Sequence, residues 1–159
     1  MVITARLGEL LVGQLGMELS AHQQYNGIAI YFERQSLNRW FKLFSDQALE
    51  EAQHARKIMT FLVDNGVDFD LPQVTKGPTH FGSALEAAQT ALDSERNVSE
   101  RFRAMATAAL EDGDHTSFQF LQWFIDEQVE EERTAQAVVD LIASGVNLFQ
   151  AEPLLDSVG

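Results

Sequence analysis

Apolar residues recur along this chain at steps of three and four, the spacing that lines one face of an α-helix, and no stretch alternates as a strand would. Breakers divide the pattern into four long segments and a tail. The first spans about residues 4–34 and carries the stripe Leu7, Leu11, Glu18, Tyr25 and Phe32. A short connection near residues 35–38 leads to the second, which runs to Asn65-Gly66 and carries Phe44, Glu51, Ala55, Ile58 and Leu62. Residues 67–81 hold Pro72, Gly77 and Pro78 and show no period. The third segment opens on Ser83-Ala-Leu-Glu86, the pattern of a capping box, and ends at Asp112-Gly113-Asp114, where either aspartate can start the next helix. Its stripe is Ala84, Ala88, Ala91, Glu95, Val98, Phe102, Met105 and Ala109. The fourth ends at Ser144-Gly145 and carries Leu121, Phe124, Gln128, Glu131, Ala135, Val138 and Ile142. Leu148, Phe149, Leu154 and Leu155, around Pro153, predict a short fifth helix.

Four such stripes are the inward faces of an all-α four-helix bundle. Short links near residue 36 and at Gly113 predict two antiparallel hairpins. The 15 residues between them (67–81) reach about 50 Å when extended, and a 28-residue helix is about 42 Å long. A plain hairpin needs far less chain, so this link is expected to cross the length of the bundle and make helices two and three parallel. Residues 1–145 then form the bundle domain and residues 146–159 a short C-terminal helix or tail.

Every stripe is interrupted by a polar group near its middle: Glu18, Glu51, Glu95, and the pair Gln128 and Glu131. Glutamate is almost never buried without a partner. In a hairpin, residues at one level average to the turn position. Glu18 and His54 average to 36, and Glu95 and Glu131 average to 113, so each hairpin sets its own group at one level. His54 follows Glu51 by three residues, so both project from one face of their helix. Four carboxylates, one imidazole and one amide in a dry core repel one another unless a pair of multivalent cations joins them. Oxygen ligands with a single histidine and no sulfur suit iron or manganese, with zinc as a competitor.

Composition narrows the chemistry further. The 159 residues suit one domain, and the absence of cysteine excludes disulfides, thiolate metal sites and thiol nucleophiles. With 24 acidic and 11 basic residues the net charge is −13, which disfavours nucleic acid and anionic membranes and favours cations. The start, from Met1 to Arg6, does not read as a secretory leader, and no run approaches 18 apolar residues. A cytoplasmic protein is the expectation.

The segments Gly16-Met-Glu18-Leu, Glu50-Glu51-Ala-Gln-His54, Glu95, and Phe120-Leu-Gln-Trp123-Phe-Ile-Asp-Glu127-Gln128-Val-Glu130-Glu131-Glu132 together resemble bacterial non-haem ferritins over nearly the whole chain, crossover and final helix included. The resemblance implies a ferroxidase. Ferrous iron is expected at one site of Glu18, Glu51 and His54 and at a second of Glu51, Glu95 and Glu131. Dioxygen would oxidise both ions, and ferric oxide would collect in a shell of twenty-four copies. The resemblance also puts Gln128 and Tyr25 beside the diiron centre, and Glu50, Glu127 and Glu130, with Glu131, at an additional iron site. A soluble diiron oxidase or peroxidase without a mineral would use the same ligands and is the alternative. Bacterioferritins carry a second Glu-x-x-His where this chain has Gln128 and Glu131, and a haem-ligating Met where it has Ala52, so no haem is expected. Rubrerythrin-like peroxidases share that second motif, and DNA-protecting mini-ferritins put metal between subunits. His22, His80 and His115 are read as surface or capping residues.

Overall fold

The computed structural model describes residues 2–158, so Met1, at the head of the segment read for a leader, and Gly159, at the end of the tail, lie outside it. Four long helices form where the stripes place them: α1 (Ala5–Glu33), α2 (Asn38–Asp64), α3 (Ala84–Glu111) and α4 (His115–Ala143). Side chains close three of the four N-termini. Thr4 accepts from the Leu7 N–H, Ser83 from the Glu86 N–H and Asp114 from the Ser117 N–H, so Asp114 is the aspartate that starts α4. Glu86 reaches one residue past its cap, to the Gly82 N–H at 3.0 Å. The fifth helix is shorter than the apolar pattern suggests. A single α-turn, α5 (Leu148–Ala151), gives way to a 3-10 helix (Glu152–Ser157), because Pro153 has no N–H to continue the α-helical ladder.

Side-chain pairs fix the topology. His22 with Ala48 and Glu18 with His54 join α1 to α2, Gln14 with Arg101 and Tyr25 with Glu95 join α1 to α3, and Gln47 with Glu131 and Phe61 with Phe120 join α2 to α4. In each pair of helices the residue numbers run in opposite senses, so α1 is antiparallel to α2 and α3, and α4 is antiparallel to α2. Helices α2 and α3 are therefore parallel, as the crossover requires.

The crossover lies along α1. Val67 meets Gly8, Pro72 meets Gly16, the Thr75 N–H donates to Ser20 Oγ at 2.9 Å, and Arg34 reaches the Thr79 carbonyl at 3.0 Å. Backbone meets backbone where Gly77 lies on Gln23 and Gly27 on Pro78. A Cβ at either glycine would collide with a carbonyl oxygen, so nothing larger fits.

The core is split in two. One half gathers Ile28, Phe32, Trp40, Phe44, Leu92 and Val138, and the tail closes over it through Ala151 and Leu155. Trp40 Nε1 donates to the Leu148 carbonyl at 2.9 Å, which docks α5 on the start of α2. The other half gathers Leu7, Leu11, Ile58, Leu62, Phe102 and Phe124. Between the halves lies a layer of buried polar groups.

Candidate metal centre

That layer is Glu18, Glu51, His54, Glu95, Gln128 and Glu131, one level drawn from all four helices, and each is at most 5 % exposed. Apolar core flanks the layer on both sides. Ligand atoms of Glu18, Glu51 and His54 lie within 4.8 Å of one another, and so do those of Glu51, Glu95 and Glu131. Glu51 belongs to both sets. His54 Nδ1 is 3.2 Å from Glu51 Oε2 and 3.8 Å from Glu18 Oε2.

Neighbouring side chains hold the carboxylates in place. Tyr25 Oη donates to Glu95 Oε1 at 2.7 Å. Gln128 Nε2 donates to the other Glu95 oxygen, to the Glu95 carbonyl and to Ser99 Oγ, each at 3.1 Å. Gln14 Nε2 donates to Glu18 Oε1 at 3.1 Å, and Gln47 donates to Glu131. Two carboxylate oxygens, Glu18 Oε2 and Glu51 Oε1, are buried with no hydrogen-bond partner. A buried acceptor left unpaired costs about 1–3 kcal/mol, so these atoms fit a cation as their missing partner.

Electrostatics divide the acids. Burial, and then the charge of Glu18, push Glu51 well above the usual carboxylate range. Burial raises Glu95 as well, against the Tyr25 and Gln128 hydrogen bonds. Glu131 is pushed up to about 10 by burial, followed by the charge of Glu95 and its contact with Glu50. Glu18 moves the other way: burial raises it, but the close approach of His54 and Glu51 outweighs that and leaves it lowered. Burial lowers His54, yet the nearby Glu18 carboxylate and the acidic field around it win and leave it raised. Tyr25 is held well above its ordinary value by burial and by Glu95, so it stays a donor.

The model of the ferritin-like domain matches residues 8–144. The chain belongs to the ferritin family. It is similar to ferritin BfrB of Mycolicibacterium smegmatis, 38% identical over 144 residues that make up 90% of this chain and 80% of the relative. It is also similar to the bacterial non-heme ferritin of Staphylococcus aureus, 34% identical over 131 residues (82% and 79%). Among solved structures, an open pore ferritin from the archaeon Archaeoglobus fulgidus superposes with a TM-score of 0.91 at 29% identity, covering 96% of this chain and 97% of that one.

In this ferritin chain the outer acids are only partly gathered. Glu127, half-buried, joins His54 and Glu131 in a third set of ligand atoms within 4.8 Å of one another. Glu50, exposed, lies close enough to Glu131 to help raise it. Glu130 is not drawn in: its carboxylate pairs with Arg133 Nη2 at 2.6 Å, one helical turn along the exposed face. Two histidines lie outside the centre on the surface, His115 at the first position of α4 and His80 beside Arg34. The half-buried His22 bridges the Ala48 carbonyl and Asn26.

Sequence reasoning missed two glutamines. Gln14 and Gln47 each stand four residues before a glutamate of the centre, Glu18 and Glu51, and Gln14 is fully buried. The repeated Gln-x-x-x-Glu spacing was the available signal. Trp123 packs edge-on against His54, with ring centroids 5.6 Å apart.

Proposed function

We propose that this chain oxidises ferrous iron with dioxygen at the buried carboxylate–histidine layer and that its assembled form stores the ferric product. The observation that carries the reading is the pair of ligand sets sharing Glu51, with Glu18 Oε2 and Glu51 Oε1 lacking any other partner. Glu18 and His54 hold one ferrous ion, Glu95 and Glu131 hold the second, and Glu51 bridges them. The ions are the substrate, each giving one electron to dioxygen.

The protein's part is binding, orientation and proton release. Tyr25 and Gln128 fix both oxygens of Glu95, Gln14 fixes one oxygen of Glu18, and Gln47 fixes Glu131. Glu51, Glu95 and Glu131 take up protons when the site is empty and release them as cations bind, since metal ligation needs the deprotonated form. Fixed carboxylates in a dry layer favour the higher charge of the ferric product. Glu50 and Glu127, beside Glu131, make up the additional iron site, which Glu130 joins only by leaving Arg133. The net charge of −13 draws cations toward the chain. The family resemblance supports a shell of twenty-four copies in the cytoplasm, with iron and dioxygen as its partners rather than haem, nucleic acid or membrane. Among the described residues, no helix is long and apolar enough to cross a membrane.

The test is an anaerobic ferrous titration followed by stopped-flow oxidation. The wild type should take two ions per chain into the centre, and Glu51→Ala or His54→Ala should slow oxidation at least about tenfold. Wild-type initial rates in both variants would sink the diiron assignment. Sizing separates storage from the alternative, because a mineral-free diiron oxidase elutes far smaller than a shell.

A further inference from the structure

Glu127 and Glu50 put acidic charge beside His54 and Glu131, which suits a cation. On the other side of Glu131 lies a different kind of space. A cavity of about 20 Å³ sits between Tyr25, Phe44, Ala88, Ala91, Ala135 and Val138 and touches Glu131. Three alanines face one another there, on α3 and α4, where larger apolar residues would fill the gap. Two of the polar groups that border it are already engaged, Tyr25 with Glu95 and Gln47 with Glu131, which leaves Thr134 at the half-exposed rim and one Glu131 oxygen. A buried water needs two to four free polar partners, and this cavity leaves few. Leu43, Gln47, Thr134 and Ala135, also on its wall, are half-exposed, so the space opens between α2 and α4.

From these features we infer that the cavity is the binding pocket for dioxygen, the neutral substrate of the reaction proposed above, on which this inference rests. Dioxygen is small, apolar and uncharged, and it prefers aliphatic walls to water, whereas a hydrated ferrous ion does the reverse. The volume exceeds one water-sized sphere, enough for a diatomic and too small for an organic molecule. The two substrates then enter by separate doors. The cation arrives past the outer acids, and the gas comes through the alanine-lined gap to the edge of the second ligand set, beside Glu131.

Two measurements on the assembled protein test this. Xenon pressurised into wild-type crystals should appear between Tyr25, Ala88 and Ala135, as xenon does in other small apolar cavities. Ala135→Leu fills the mouth from a half-exposed position, so folding should survive, and Ala88→Val narrows the floor. Each variant should raise the KM for dioxygen about tenfold, the scale of steric exclusion from an apolar pocket. Each should keep its anaerobic ferrous stoichiometry and its wild-type rate at saturating dioxygen. Ala104→Leu, in a groove between α1 and α3, is the control and should change nothing. A wild type that oxidises iron normally but shows no xenon in this cavity, or variants whose KM for dioxygen stays at the wild-type value, would overturn the pocket alone. A wild type that takes up xenon yet oxidises no ferrous iron overturns the ferroxidase reading, and dioxygen as the occupant with it.

Discussion

Replacing Glu131 with glutamine tests the electrostatics of the layer directly. Glu131 is pushed from an ordinary value of 4.5 up to about 10, so in the metal-free fold at neutral pH it holds a proton that the unfolded chain has lost. A carboxyl raised on folding contributes stability that is fully present below its unfolded pKa and is lost as pH rises through the folded one. Between 4.5 and pH 7 lie about two and a half units, and at about 1.36 kcal/mol each the loss is about 3.4 kcal/mol. Glu51 and Glu95 compete for the same protons, which leaves about 1–3 kcal/mol for Glu131 alone. Glutamine imitates the protonated acid: its oxygen can still accept from Gln47, and its uncharged amide removes the repulsion with Glu50 and Glu95. Glu95 is the poorer site for this change, since both of its oxygens already accept hydrogen bonds and an amide nitrogen would face a donor.

The metal-free Glu131→Gln protein should therefore melt higher than wild type at pH 7.5, by about 2–4 °C for each kcal/mol recovered, with the gap closing toward pH 4.5. Calorimetry on chelator-stripped samples in one assembly state reads this. Added divalent metal should then raise the wild-type Tm more than the variant's, by mass action. A variant that melts at or below wild type at pH 7.5, or a gap that ignores pH, would refute the reasoning.

Other expectations follow from single contacts. Gln14→Ala removes the donor that fixes Glu18 and the acceptor of Arg101 Nε, and should weaken ferrous binding about 10–100-fold in an anaerobic titration. Gly27→Ala drives a methyl group into the Pro78 carbonyl and should cost about 1–3 kcal/mol or more in urea unfolding, with the crossover the first segment to lose hydrogen-exchange protection. Ser36 sits at φ 60°, so Ser36→Gly should raise stability by up to about 1 kcal/mol or leave it unchanged; a clear loss would mean its side chain matters. Protein grown with ample haem should show no Soret band, since Ala52 supplies no axial ligand.

The bundle was legible because its signals were redundant. Stripes, caps and the hairpin level rule all agreed, and the level rule brought Glu18 to His54 and Glu95 to Glu131 before any coordinates. What the pattern could not carry was the direction of long polar side chains on an exposed face. Glu50, Glu127 and Glu130 look alike in sequence, yet Arg133 captures Glu130 while the other two turn toward Glu131 or His54. Pattern reading also passes over amides. Gln14 was skipped because glutamine on a stripe is less conspicuous than glutamate, although its burial is just as demanding. The first turn was harder to place for a related reason. It has no glycine, and the left-handed residue is Ser36, which the sequence does not announce.

The first hairpin brings one whole candidate ligand set to the middle of the bundle, and the second brings only part of the other. The first supplies Glu18, Glu51 and His54, and the second supplies Glu95, Gln128 and Glu131, so the shared Glu51 reaches a full second set only when the hairpins have packed. The two apolar halves of the core do that packing, one on each side, and they must overcome the repulsion in the layer between them. This arrangement explains why the polar groups lie mid-helix rather than at an end. A central layer is flanked by apolar contacts on both sides, which holds the carboxylates at short range when no cation is there to attract them. A terminal layer would splay open and admit water. Stability given up in the layer is therefore recovered when cations bind, and the site is a functional compromise set into an otherwise regular bundle.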